Sequence, residues 1–188
     1  MTPGTLEISY PVVVRVIGGT ARGRQLKARL PEGVRPTTDY AREAIFSMIE
    51  SRGGLTDLIV ADLYCGSGAM GIEALSRGAA EVYFVDSNPQ CLDAARTNLE
   101  GLGLEGEAHF VRASLPGWRA PDDLDLVFAD PPYGPLDLTT LLKGVQARRV
   151  VVENDREMAA PPGWQVAKSK RYGTTLVTML EPDQGDEA

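Results

Sequence analysis

Apolar and polar positions along this chain switch between a period of two and a period near 3.6. The β-branched run Val12 to Ile17 predicts a strand, Gly18-Gly19 and Gly23 mark turns, and a second short strand follows around Arg24 to Ala28. Pro36 biases Arg35 away from helix. Thr37 or Thr38 can then cap a helix that puts Ala41, Ile45, Met48 and Ile49 on one face and ends at Gly53-Gly54. Leu58 to Leu63 reads as a buried strand, followed by a glycine turn and a helix to Arg77. The unit repeats with a strand at Val82 to Asp86 and a helix opened by Asn88-Pro89, Pro being favoured at the first helical position, that runs toward Gly101. Further strands fit Ala108 to Val111, Leu124 to Ala129, Val150 to Glu153 and Thr174 to Leu180, with Leu136 to Val145 helical between the second and third. Strands alternating with helices predict an α/β fold, a mostly parallel, doubly wound sheet covered on both faces, carrying an N-terminal β-hairpin extension.

Length sharpens this picture: 188 residues suit one compact domain, divided here into an extension at 1–54, a core at 55–181 and an acidic tail at 182–188. Apolar runs such as Val12 to Val14 and Leu58 to Ala61 fall far short of the roughly 18 residues of a membrane span. The N-terminal stretch lacks a basic region, and Arg15 interrupts its only apolar segment, so the expected location is cytoplasmic with Cys65 and Cys91 reduced. His109, the single histidine, reads as an ordinary strand residue, and no metal is expected. Net charge is −7, which argues against a general nucleic-acid binder. The distribution changes that reading. Seven basic residues against two acids between Arg15 and Arg42 leave that segment at +5 and the remainder at −12. Lys168, Lys170 and Arg171 form a smaller cluster near the C-terminus.

In doubly wound sheets ligands bind at the carboxyl ends of the strands, beside the topological switch point. The turn after the first core strand reads Asp62-Leu63-Tyr64-Cys65-Gly66-Ser67-Gly68-Ala69-Met70-Gly71. Gly66, Gly68 and Gly71 satisfy G-x-G-x-x-G, and Asp86 lies 20 residues after Gly66, where an acid can accept hydrogen bonds from two ribose hydroxyls. NAD and S-adenosylmethionine share both needs, and a ligand-free tight turn would show the same glycines. Asp62 tilts the choice, because a carboxylate there suits a cationic methionine amine and repels a pyrophosphate.

The deciding motif is Asp130-Pro131-Pro132-Tyr133, placed after the hydrophobic run Leu126 to Ala129. A Pro-Pro pair continues neither strand nor helix, so it fixes an extended bend at the sheet rim. The Asp130 carboxylate and the Pro131 carbonyl then supply two fixed acceptors, and Tyr133 a face on which a base can stack. Such a set aims the lone pair of an exocyclic base amine at a sulfonium methyl. Methylation at carbon would call for a cysteine nucleophile, and Cys65 sits in the glycine turn instead.

These motifs, together with Arg15-Val16-Ile17-Gly18-Gly19, Arg22-Gly23-Arg24, Arg35-Pro36-Thr37-Thr38-Asp39 with Arg42-Glu43, and Glu73 to Ala79, resemble the bacterial RsmD family over about residues 14 to 181. That resemblance implies a class I S-adenosylmethionine-dependent methyltransferase fold, Rossmann-like in its sheet. It also implies methylation of N2 of a guanine in 16S small-subunit ribosomal RNA. The implied cofactor residues are Arg35, Thr37, Thr38, Asp62, Tyr64, Cys65, Gly66, Ser67, Gly68, Asp86, Ser87, Ala113 and Ser114, with Arg35 to Thr38 over the methionine end. Asp130, Pro131, Pro132 and Tyr133 are the expected catalytic set, and Arg15, Arg22, Arg24, Lys27 and Arg42 the expected RNA contacts. The partner is ribosomal RNA or an assembling 30S particle, met by a monomer with no membrane. A DNA amino-methyltransferase acting on adenine N6 or cytosine N4 would carry the same tetrad, and an inactive RNA-binding assembly factor could retain the same fold. The leading ten residues and the tail after Glu181 match nothing in the resemblance and are expected to be mobile.

Overall fold

The computed structural model describes residues 14–28, 39–121, 124–132 and 137–183. These form β1 (Val14–Arg15), β2 (Gln25–Leu26), α1 (Asp39–Glu50), β3 (Ile59–Leu63), α2 (Ala69–Ser76), β4 (Glu81–Asp86) and α3 (Pro89–Leu99). They continue through β5 (Glu107–Arg112), β6 (Leu124–Ala129), α4 (Leu138–Leu142), β7 (Ala147–Asn154), β8 (Trp164–Tyr172) and β9 (Thr175–Pro182). β1 and β2 pair antiparallel as the expected hairpin, and the other strands form one sheet in the order β5-β4-β3-β6-β7-β9-β8. Neighbours from β5 to β7 are parallel, and β9 is antiparallel to both β7 and β8. From β3 the chain steps outward to β4 and β5, then returns to β6 on the other side of β3. The switch point therefore lies between β3 and β6, where a doubly wound sheet opens a crevice at its carboxyl rim.

Side chains on a strand alternate between faces, and the core divides accordingly. Val60, Phe84, Leu126, Phe128, Val151 and Met179 join Ile45, Phe46, Ile72 and Leu92 of the first three helices in one cluster. Leu63, Val85, Val127, Ala129, Val150 and Val152 join Trp118, Leu138, Leu141 and Leu142 in the other. Val14, Val16, Ala21 and Leu26 belong to the first cluster, so the hairpin shares the core of the sheet.

The hairpin is pinned by Glu73 of α2. This fully buried carboxylate accepts the Ile17 and Gly18 amides at 2.6 and 2.7 Å and the Arg77 Nε at 2.8 Å. Ser76 completes the joint, accepting the Ala21 amide at 3.0 Å while its hydroxyl donates to Gly18 O at 2.6 Å.

Element positions agree with the hydrophobic pattern at β6, whose bounds are Leu124–Ala129, and at α3, whose Asn88 side chain accepts the Gln90 amide at 2.9 Å with Pro89 in the first turn. The larger differences lie at α4, in the hairpin and at β8. α4 is shorter than Leu136 to Val145 because Asp137 caps it, accepting the Thr139 and Thr140 amides at 3.0 and 3.3 Å. β1 and β2 are also shorter than the expected strands among the described residues. β8 was not expected at all: it is an edge strand with little apolar patterning, rich in Lys and Arg, and a bulge between Val166 and Lys168 breaks its alternation. No helix among the described residues is long and apolar enough to cross a membrane.

Candidate active site

Three carboxylates end three adjacent strands of the sheet. Asp62 is the fourth residue of β3, Asp86 closes β4, and Asp130 follows β6 directly. Their charges interact: Asp130 and Asp86 both push up the pKa of Asp62. Burial is the larger cause, since Asp62 is 3% exposed, and together these outweigh the Gly71 amide that it accepts at 2.9 Å and raise its pKa to about 8. This bond also satisfies one of the orphan amides opening α2, whose N-cap, Gly68, has no side chain to offer.

Asp86 organises the turn from the neighbouring strand. One oxygen accepts the Gly66 amide at 3.1 Å and the other the Asn88 amide at 2.9 Å. Of the roughly four lone-pair sites of a carboxylate, these two amides and the Cys91 thiol take three, which leaves one open to a ligand hydroxyl. Burial pushes the Cys91 thiol up to about 11, with the Asp86 charge and a hydrogen bond to it adding to the shift. Burial pushes the Cys65 thiol higher still, with Asp62 and Asp86 adding, so both thiols stay protonated and neither is a nucleophile. Ala113 donates its amide to Asp86 O at 3.1 Å, which places Ala113 and the exposed Ser114 beside the same strand end. Ser87, next along, is exposed.

The glycines serve the backbone in two ways. Gly66 and Gly68 have φ of 51° and 76°, a region that side-chain-bearing residues rarely adopt. A Cβ on Gly68 would lie 2.8 Å from the Ala95 Cβ and 3.2 Å from the Phe84 ring, so Gly68 is needed for α3 to close on the sheet. Gly68→Val should therefore lower the melting temperature, by an αL penalty of about 1–2 kcal/mol and overpacking of about 1–3 kcal/mol, and a differential-scanning trace unchanged from wild type would refute this packing role. Ser67 is held from behind, its carbonyl accepting Asn98 Nδ2 at 3.0 Å, while Asn98 Oδ1 accepts the Ala28 amide at 2.8 Å. Tyr64 has φ of 59°, a strained value for an aromatic residue that the motif gave no sign of. It lines a cavity of about 380 Å³ with Leu115, Pro116, Pro131, Pro132, Thr140 and Leu141. Burial raises the Tyr64 hydroxyl pKa. The Pro-Pro pair thus borders a concave space at the switch point, and the half-buried Asp130 is the residue directly before it in the chain. Tyr133, Arg35, Thr37 and Thr38 lie outside the described residues.

The expected RNA contacts divide. Arg42 is the clear correction: it is 0% exposed, and its Nη2 donates to Arg15 O and Asp39 Oδ1, both at 2.7 Å, so it fastens the hairpin to α1 and does not meet a phosphate. Arg15, Arg22, Arg24 and Lys27 are exposed. Helices between parallel strands run back from the rim, so Ser76 and Gly101, at and just beyond the C-termini of α2 and α3, lie at the opposite end. Thr20 donates its amide to Ser76 O at 2.7 Å and Arg24 Nη2 donates to Gly101 O at 2.8 Å, which puts the hairpin tip with Arg22 and Arg24 away from Asp130. Arg15 pairs with Asp39 at 3.3 Å beside the start of α1. His109 is more engaged than its sequence suggested, stacking on Tyr83 at 4.6 Å with Nε2 at 2.8 Å from Glu81 and 3.6 Å from Glu107. This triad of possible metal ligands crosses two neighbouring strands near their amino ends, far from the rim.

A seven-stranded sheet of this order, with a glycine turn and an acid ending the second strand at its switch point, defines a class I methyltransferase fold. The solved structure of magnesium protoporphyrin IX methyltransferase from Synechocystis, with S-adenosylmethionine bound, shares it at TM-score 0.59 and 15% identity, covering 79% of this chain and 86% of that one. The family model described as Conserved hypothetical protein 95 matches residues 14–181, and the chain belongs to that family, the RsmD family. Ribosomal RNA small subunit methyltransferase D of Haemophilus influenzae is 31% identical, over 85% of this chain and 89% of that protein. Its Escherichia coli counterpart is 29% identical over 93% of each. The structure of yhhF from Escherichia coli, provisionally assigned as a methyltransferase, superposes with TM-score 0.75 at 31% identity, covering 90% of this chain and 98% of that one.

Proposed function

We propose that this protein transfers a methyl group from S-adenosylmethionine to the exocyclic N2 amine of a guanine in small-subunit ribosomal RNA. The observation that carries this reading is the gathering of Asp62, Asp86 and Asp130 around the switch point, with Pro131 and Pro132 bordering the adjoining cavity. The cofactor supplies an electrophilic methyl on a positively charged sulfur. Asp86 is suited to one of its ribose hydroxyls, the Gly66 to Gly68 turn to its close approach, and the acidic cluster to its cationic methionine end. Arg35, Thr37 and Thr38 would close over that end, and Ser87, Ala113 and Ser114 border the adenosine side. Asp130 accepts hydrogen bonds from the guanine edge and holds the amine, Pro131 offers its carbonyl, and Tyr133 stacks on the base. The nitrogen forms its bond to carbon as the carbon–sulfur bond breaks, its electron pair staying on the sulfur as a neutral thioether, and the cationic nitrogen then passes its proton to solvent. The proposed setting is the cytoplasm, with a monomer meeting the RNA in an assembling 30S particle.

Asp62 makes cofactor binding depend on pH. Without ligand its folded pKa of about 8 stands above the ordinary 3.8, so it is largely neutral at pH 7 and the fold loses stability as pH rises from about 4 to 8. A cationic ligand favours the carboxylate, so binding expels a proton and affinity should rise between pH 6 and 8. Calorimetry in buffers of different ionisation enthalpy should register that release, and Asp62→Asn should flatten the pH profile. An unaltered profile in the variant would remove Asp62 from the cationic end.

The proposed function is tested by offering labelled cofactor with undermethylated 30S subunits, naked 16S RNA and duplex DNA. Methylation confined to the ribosomal substrates supports it. Transfer to DNA would favour an adenine or cytosine amino-methyltransferase, and binding of RNA with no transfer to any substrate an inactive assembly factor.

A further inference from the structure

The active-site rim has a second feature three strands away from Asp130. β8 is antiparallel to β9, which is antiparallel to β7, so β8 runs with β6 and ends, at Tyr172, on the same rim as Asp130. Arg171 confirms the placement, its Nη1 donating at 3.2 Å to the carbonyl of Asp155, the residue after β7. With strands about 4.8 Å apart, Tyr172 lies roughly 14 Å across the sheet from the end of β6.

Lys168, Lys170 and Tyr172 pair with Met179, Val177 and Thr175, and Met179 and Val177 belong to the helix-covered face that carries α1. The three side chains therefore point to that face. From α1, Tyr40 meets Tyr172 edge-to-face with centroids 5.8 Å apart, and Lys170 Nζ stands 5.2 Å from the Tyr172 ring centre. Tyr40 is 68% exposed, whereas Val166 of β8, at 44%, pairs with Leu180 of the other core cluster and lies on the opposite face of the sheet. An exposed aromatic ring braced by a second ring, with two lysines in file beside it, forms a sequence-tolerant stacking surface with phosphate contacts alongside. On a chain of net charge −7, this file of cations is matched to a polyanion.

We propose that Tyr40, braced by Tyr172, stacks on an unpaired base of the RNA flanking the target guanine, while Lys168 and Lys170 contact the adjoining phosphates. This rests on the ribosomal RNA reading above and adds to it where the strand lies: it leaves the Asp130 crevice across β7 and β9 toward the sheet edge. The base is bound by its face, so the contact selects single-stranded RNA over duplex and carries no strong sequence preference.

Fluorescence anisotropy with a labelled single-stranded RNA oligonucleotide tests the contact without requiring turnover. Tyr40→Ala should weaken binding about tenfold, Tyr40→Phe should leave it near wild type, and Lys168→Ala with Lys170→Ala should reduce the salt slope by about 1.4, for two phosphates at ~0.7 each. With the ribosomal substrate, Tyr40→Ala should raise KM and leave kcat and cofactor affinity unchanged. If the lysines only keep an exposed edge strand from pairing with other chains, removing them will promote aggregation and leave the salt slope intact, which would overturn the proposal, as would wild-type RNA affinity in Tyr40→Ala. Failure of the wild-type protein to methylate ribosomal RNA would count against the functional reading instead, and the anisotropy result would still decide the contact.

Discussion

Asp130→Ala is expected to lower kcat on the ribosomal substrate by a factor on the order of 10² or more, with cofactor affinity retained. Asp130 follows the last residue of β6, directly before the Pro-Pro pair that borders the crevice, and in the proposed reaction it accepts the amine protons of the guanine. Removing the carboxylate costs the orientation of the attacking nitrogen and the stabilisation of positive charge that develops on it. Both are terms that grow toward the transition state, so turnover falls more than binding. Because the Asp130 charge also raises the Asp62 pKa, the variant should bind its cofactor with a pH dependence displaced toward lower pH. Asp130→Asn, which keeps an acceptor and loses the charge, should fall between. Single-turnover rates with both substrates saturating, read beside calorimetry for the cofactor, separate these effects. Rates in Asp130→Ala within a few-fold of wild type would exclude the proposed role.

Glu73→Ala is expected to be the most destabilising of the substitutions considered, at about 3–5 kcal/mol. The carboxylate is buried and satisfies two hairpin amides and the Arg77 guanidinium at once. Truncation leaves two part-buried donors without their acceptor and a half-buried cation with one carboxylate partner, Glu50 at 3.2 Å. Glu73→Gln keeps an acceptor for one amide and should recover part of the loss. Chemical denaturation reads the difference, and amide exchange at Ile17 and Gly18 should accelerate first if the hairpin is the part released. A midpoint equal to wild type would mean that the joint is held by its apolar contacts alone.

The contrast between these two residues explains what the sequence discloses. Asp130 is legible because its chemistry is local: it sits beside two prolines after a hydrophobic strand, and the chain pattern carries the whole signal. The same holds for the Gly66 turn, for Asp86 at the end of its strand, and for the Asn88-Pro89 helix start. Glu73 is a long-range hub, 56 residues from Ile17, and no local pattern sets a buried acid apart from a solvated one on a helix. Arg42 misleads for the same reason: a basic residue in a basic segment reads as surface until tertiary packing buries it against Arg15 and Asp39. Gly68 matches its motif but for a packing reason supplied by Ala95, far along the chain. β8 is hidden because an edge strand takes its hydrogen bonds from one neighbour and needs little apolar patterning of its own. The platform of Tyr40 and Tyr172 depends on that strand, and it stays out of sight with it.

The most direct measurement is nucleoside mass spectrometry of 16S RNA recovered from undermethylated 30S subunits after incubation with the protein and isotopically labelled S-adenosylmethionine. The expected result is labelled N2-methylguanosine at a single position, absent when Asp130→Ala replaces the wild type. Label on another base or on another atom of guanine, or none with cofactor demonstrably bound, would contradict the assignment of the Asp130 crevice to the guanine amine.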